Sequence, residues 1–234
     1  MDEHKLIYGS KEIKYQLVFD KRKSLNIKVL PSGQLVITAP DGTDIEKINE
    51  KLKLKAPWIL KQMDYFQTFQ PLTSERKYIN GESHLYSGRQ YRLRAVVGNE
   101  ECIKISSGWI QITSANISNA NLKKMIDLWY LEKAKNRFPK ILDLMIPKFE
   151  KFNITKPEIV IRKMQKRWGS CTSKGKIILN TELIKAPKGS IEYVVVHELC
   201  HLVHRKHNKK FYALQEKIMP DWKRWKDKLE YCLA

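Results

Sequence analysis

Residues 189–204 read GSIEYVVVHELCHLVH, and the reading of the whole chain turns on them. Ile191, Val194, Val195, Leu199 and Leu202 recur at helical spacing and predict a buried helix. Two acids, Glu192 and Glu198, and two histidines four apart interrupt that apolar set. A helix advances about 100° and 1.5 Å per residue. His197 and His201 therefore project from one face, one turn apart, where their imidazoles can meet on one cation. Zinc favours nitrogen and sulfur donors in a tetrahedron, and a catalytic site uses three protein ligands and leaves one position for water. Glu198, one residue past the first histidine, is set to hold that water and take its proton. The expected chemistry is amide hydrolysis with one Zn2+ ion and no covalent intermediate. The competing reading makes Glu198 the partner of a nearby cation; with only 6 histidines in 234 residues, a chance H-E-x-x-H belongs in well under roughly one such chain in a hundred.

Three residues compete for the third ligand. His204 continues the stripe at i+7, but three ligands stacked along one straight helix cannot surround a tetrahedral ion. His207 follows Arg205-Lys206 and immediately precedes Asn208, a good cap for a helix carrying Phe211, Leu214 and Ile218. If the first helix ends near His204, the chain can turn and bring His207 over the metal. A more distant carboxylate such as Glu216 is the remaining choice.

Outward from this helix, 158–164 and 176–180 read as strands and 122–150 as largely helical, with short helices after Asn208 and after Pro220. Trp168-Gly169-Ser170-Cys171 is expected at the cleft. An edge strand there can pair with a substrate backbone, and a glycine permits close approach. Trp168, Gly169 and Ser170 are accordingly the candidate substrate-binding residues. The structural alternative has Trp168 in the core, Gly169 in a turn and Cys171 as a small buried apolar residue. The first forty residues alternate in the manner of strands. Ile13, Tyr15, Leu17 and Phe19 share one face and Pro31-Ser32-Gly33 supplies a turn, so 1–40 predicts a small antiparallel sheet. A helix at about 43–66 follows, with Pro57 as a break or a new first turn, and a second strand-rich stretch runs from Tyr78 to Thr113. No internal repeat is evident. The expected organisation is α+β: a strand-rich region over 1–115 with two small sheets, then a catalytic domain over 116–234 whose active-site helix lies beside a small antiparallel sheet.

A net charge of +19, from 44 basic and 25 acidic residues, puts a positive potential over much of the surface and attracts polyanions. The window 161–190 concentrates Arg162, Lys163, Lys166, Arg167, Lys174, Lys176, Lys185 and Lys188 against Glu182 alone. Either this is a solvated lysine-rich surface, or it contacts nucleic acid or proteins bound to it. Cys102, Cys171, Cys200 and Cys232 form no C-x-x-C pair and no disulfide framework, which fits a reduced cytoplasm. No run is long and apolar enough for a membrane span, and the start lacks a secretory pattern.

Arg167-Trp168-Gly169-Ser170-Cys171, Ile178-Leu179-Asn180, Val196 to His201 and His207 to Phe211, in that order, resemble the YgjP-like metallopeptidase family. The resemblance is firm over the C-terminal domain and extends to the strand-rich region before it. It implies a gluzincin-like, zincin-type peptidase core similar to the SprT-like proteases that act on DNA-attached proteins. Carried over by position, it implies His197, His201 and His207 as zinc ligands and Glu198 as general base, with histidine in place of the usual gluzincin glutamate. Two other functions compete with a peptidase: a nucleic-acid-binding module with a structural or degenerate zinc site, and a regulatory protein whose basic N-terminal sheets bind while the core is latent.

Overall fold

The computed structural model describes residues 2–9, 11–30, 32–67, 76–165 and 167–233. Pro31 of the expected turn and Lys166 of the basic window lie outside these residues. The chain forms two compact units, 1–74 and 75–233.

In the first unit, four strands, β1 (Asp2–Tyr8), β2 (Lys11–Asp20), β3 (Asn26–Val29) and β4 (Leu35–Pro40), are ordered β1-β2-β4-β3. Helix α1 (Ile45–Gln67) follows. Ile13, Tyr15 and Leu17 from β2, with Leu35, Ile37 and Ala39 from β4, bury against Ile48, Leu52, Ala56 and Ile59 of α1. Phe19, expected on the same face, stays exposed at 45%. The sheet is mixed, because β4 folds back on β3 as a hairpin and so lies parallel to β2. Pro57 does not interrupt α1.

The second unit opens with the same topology: β5 (Ser83–Tyr86), β6 (Arg89–Val97), β7 (Cys102–Ser106) and β8 (Trp109–Ser114), ordered β5-β6-β8-β7 with a parallel central pair, and then helix α2 (Asn119–Met145). A four-strand-plus-helix plan thus occurs twice. The repeat escapes inspection of the sequence because a sheet specifies only alternation, which many different residues satisfy.

The boundary expected at 115/116 is displaced to 74/75. Leu93, Ile110 and Ile112 of the second sheet share one core with Leu122, Ile126 and Tyr130 of α2. The Tyr130 hydroxyl donates to the Leu85 carbonyl at 2.7 Å and the Arg137 guanidinium to Ser87 Oγ at 2.6 Å. The turn at Ser87-Gly88 is tied to the chain near residue 185 by N–H donation to the carbonyls of Ile184 (3.1 Å) and Lys185 (2.8 Å). Gly88 has φ +78°, and a Cβ there would stand 2.7 Å from Pro187 Cγ.

The remaining strands are β9 (Ile159–Arg162), β10 (Gly169–Cys171) and β11 (Ile177–Asn180), ordered β10-β11-β9. Only β10 and β11 are antiparallel; β9 runs parallel to β11. The small sheet beside the active-site helix is therefore mixed, since β9 enters β11 by a crossover rather than a hairpin. Three helices close the unit: α3 (Lys188–Val203), α4 (Lys209–Ile218) and α5 (Trp222–Leu233). The α+β class holds. Among the described residues no helix is long and apolar enough to cross a membrane.

A buried histidine paired with a half-buried glutamate gives this unit's stability a pH dependence. His84, 4% exposed, meets Glu82 at 3.0 Å. Desolvation lowers the His84 pKa below 6.5 and outweighs the carboxylate. For Glu82, desolvation is opposed and overcome by the N–H groups of Lys77 and Tyr78 and by His84, so its pKa falls below 4.5. Both folded-state values are depressed, so the stability they supply is complete above the unfolded pKa of each and is lost as pH falls. The melting temperature should drop from pH 7 to pH 4.5, and less steeply in His84→Asn, as differential scanning calorimetry would register.

Candidate metal centre

Helix α3 is apolar almost all round: Ile191, Val194, Val195, Val196, Leu199 and Cys200 are buried. Such a helix is held by packing rather than by its own propensity. It ends at His204, which leaves helical conformation (φ −132°, ψ 103°). The chain then turns, and Asn208 caps α4 by accepting from the Phe211 N–H at 3.0 Å. This brings His207 back to α3, so that His197, His201 and His207 form a cluster whose ligand atoms all lie within 4.8 Å of one another. His207 Nε2 and His197 Nε2 are 3.0 Å apart. Two nitrogens on a tetrahedral ion with bonds of 2.0–2.1 Å are separated by about 3.3 Å, so the pair needs almost no adjustment to share one.

The donor atoms are oriented from behind. Gln215 on α4, fully buried, bonds His197 Nδ1 through Oε1 at 2.9 Å. An amide oxygen only accepts. Nδ1 therefore carries the hydrogen and Nε2 keeps its lone pair. The His204 carbonyl does the same for His201 Nδ1 at 3.3 Å. Hydrogen bonds of this kind fix the tautomer and ring orientation of a metal ligand. Phe211, buried, lies 4.7–5.0 Å by ring centroid from all three imidazoles and forms the platform under them. Desolvation drives the His197 pKa down to about 4, with its Gln215 bond opposing and the neighbouring imidazoles reinforcing; the ring is neutral, as a ligand must be. The cluster therefore fits a borderline-soft divalent cation.

His204 contributes a carbonyl and not a ring to this arrangement. Glu216 accepts from the Trp222 indole at 2.6 Å and is outside the cluster.

Glu198 is 5% exposed. Desolvation pushes its carboxyl up to about 7, opposed by the Cys171 backbone N–H and the positive charge of Arg167. Along the antiparallel pair, Asn180 N–H donates to the Trp168 carbonyl at 2.9 Å and Thr172 N–H to the Lys176 carbonyl at 2.8 Å. Ladder alternation then turns the backbone groups of Ser170 towards β11 and those of Gly169 and Cys171 away from it, to the free edge. That edge faces Glu198. Gly169 is pressed so closely against it that a Cβ would fall 2.6 Å from Glu198 Oε1 and 2.9 Å from Val194 Cγ1.

A cavity of about 150 Å³ opens here, lined by Trp168, Gly169, Tyr193, Val194, His197, Glu198 and Glu230. Trp168 and Gly169 thus reach the cleft as expected. Ser170 does not line it, because side chains alternate along a strand and position 169 is the one that faces α3. Gly169–Cys171 form the strand of this segment, and Trp168 sits in the bend just before it. Gln215, Phe211, Tyr193 and Glu230 escape a reading of the sequence. The one local signal is a glutamine on the apolar face of α4, four residues after Phe211.

A family model described as YgjP-like, metallopeptidase domain, matches residues 23–231. The chain belongs to the YgjP-like family. It is accordingly a metal-dependent peptidase, acting on protein or peptide, and the family implies a metal. No curated protein matches the chain. Among solved structures, the metallopeptidase zymogen jannalysin of Methanocaldococcus jannaschii is similar at 24% identity over 33% of this chain and 79% of that one, with a TM-score of 0.29. Likeness at that level adds nothing to the reading of the site.

Proposed function

We propose that this YgjP-like protein is a zinc endopeptidase in which His197, His201 and His207 hold one zinc ion and Glu198 is the general base. The observation that carries the reading is the convergence of three imidazoles, two of them oriented by hydrogen bonds to Nδ1, beside a cleft lined by His197 and the buried Glu198. When bound, the metal supplies Lewis-acid polarisation of the scissile carbonyl and acidifies a water. Glu198 holds that water, takes its proton and returns it to the leaving amine. Its desolvation, which raises the pKa towards neutrality, suits both halves of that transfer. The outward backbone groups of Gly169 pair with an extended substrate, and recognition through a substrate's backbone suits cleavage within a chain.

The charge supports substrates bound to nucleic acid. Residues 1–74 carry 12 basic and 9 acidic side chains, so 32 basic and 16 acidic fall in 75–234. The positive surface is therefore a property of the catalytic unit, which argues against N-terminal sheets as the binding end of a latent protease. A purely structural zinc site is disfavoured by the donor set: among the described residues the cluster offers three protein ligands, where structural sites close with four.

Exhaustive chelation is expected to abolish peptide hydrolysis, and addition of about one equivalent of Zn2+ to restore it. Hydrolysis undiminished in protein shown metal-free by elemental analysis would overturn the proposal.

A further inference from the structure

Glu230 has no part in the chemistry above, yet its carboxylate lines the same cavity as His197 and Glu198. It is carried on α5, which is docked against α3 at close range. Gly189 meets the indole of Trp225, where a Cβ would come within 2.3 Å, and Ser190 Oγ donates to the Trp225 carbonyl at 3.0 Å. Leu229 is fully buried beside it. Glu230 is thus presented from a rigid helix. Its other immediate influences are the charge of Lys226 one turn earlier, a hydrogen bond from the Trp168 side chain and the opposing charge of Asp227.

The composition of the cavity is unusual for this molecule. The catalytic unit carries 32 lysines and arginines, yet among the described residues none lines the cleft, while two carboxylates and two large aromatic rings, Trp168 and Tyr193, do. A carboxylate that shares a cavity with aromatic side chains can receive an ammonium or guanidinium group, through charge-assisted hydrogen bonding and cation–π attraction together. An anionic side chain would meet two carboxylates there.

We infer that Glu230, with Trp168 and Tyr193, forms a subsite that selects a substrate cation next to the scissile bond. The inference rests on the cleft being the peptidase site proposed above. Two sources supply such a cation: a lysine or arginine side chain, as cleavage within a chain requires, and the free α-amino group of a peptide, which would instead direct cleavage to the N-terminus. The basic exterior repels cationic peptides at long range, so a preference for them reports a local contact.

Binding to the full chain carrying Glu198→Gln, loaded with Zn2+, separates the sources. Three otherwise identical short peptides would be compared by calorimetry at about 0.15 M salt, where long-range terms are screened. One is N-acetylated with an internal lysine, one N-acetylated with norleucine in its place, and one has norleucine and a free amine. The lysine peptide, the free-amine peptide or both should bind about tenfold more tightly than the acetylated norleucine peptide, and whichever does identifies the source. Adding Glu230→Gln should remove the advantage. Equal binding of all three peptides, or an advantage that survives Glu230→Gln, overturns the inference. Failure of the peptidase reading would appear separately, as no cleavage of any of the three by the zinc-loaded chain with Glu198 intact.

Discussion

Glu198→Gln should bind zinc as tightly as the parent chain and hydrolyse peptides about 10²–10⁴-fold more slowly. The substitution keeps the shape of a side chain that is 5% exposed and can still accept from the Cys171 N–H. It removes the ability to take a proton. Because Glu198 is outside the cluster of His197, His201 and His207, metal content should be unchanged, and elemental analysis together with single-turnover kinetics would separate the two effects. Loss of metal along with activity would mean that Glu198 holds the site together instead of reacting in it. Activity retained within a factor of two would remove Glu198 from the chemistry.

The second large effect is expected from the smallest change, Gly169→Ala. Gly169 does not need glycine for its backbone angles, since its φ is not positive. It needs it for space. The added methyl would lie 2.6 Å from Glu198 Oε1 and 2.9 Å from both Glu198 Cγ and Val194 Cγ1. Because Val194 is packed inside α3, the carboxylate is the group that yields, by several tenths of an ångström. Overpacking of this kind costs about 1–3 kcal/mol, and misplacing a catalytic group by about 1 Å costs on the order of 10²-fold in rate. The variant should fold, keep its metal and lose about that factor in kcat. Since the damage acts through Glu198, the double variant Gly169→Ala/Glu198→Gln should be no slower than Glu198→Gln alone. Additive losses would show that Gly169 acts through substrate contacts and not through the carboxylate.

The site divides sharply into what could be read and what could not. His197, Glu198 and His201 were legible because a helix fixes the geometry of residues one turn apart without reference to anything else. His207 was legible because a cap, Asn208, marks where the next helix must begin. Trp168 and Gly169 were legible as a motif. The misplaced domain boundary arose because polar residues 116–121 look like a linker, whereas the sheet before them and the helix after them bury their apolar faces in one core.

By itself, then, the sequence determined the pair of histidines one helical turn apart, the carboxylate beside it, the turn that returns a third imidazole and the excess of positive charge. All stem from local periodicity, capping and composition, which short segments carry within themselves. Only the tertiary structure decided that Gln215 orients His197 across 18 positions of chain, that Phe211 underlies three imidazoles, that Gly169 abuts Glu198 and that Glu230 enters the cleft. Those contacts join α3 to β10, α4 and α5. Their partners are chosen by how whole elements pack, a choice that no short stretch of residues encodes.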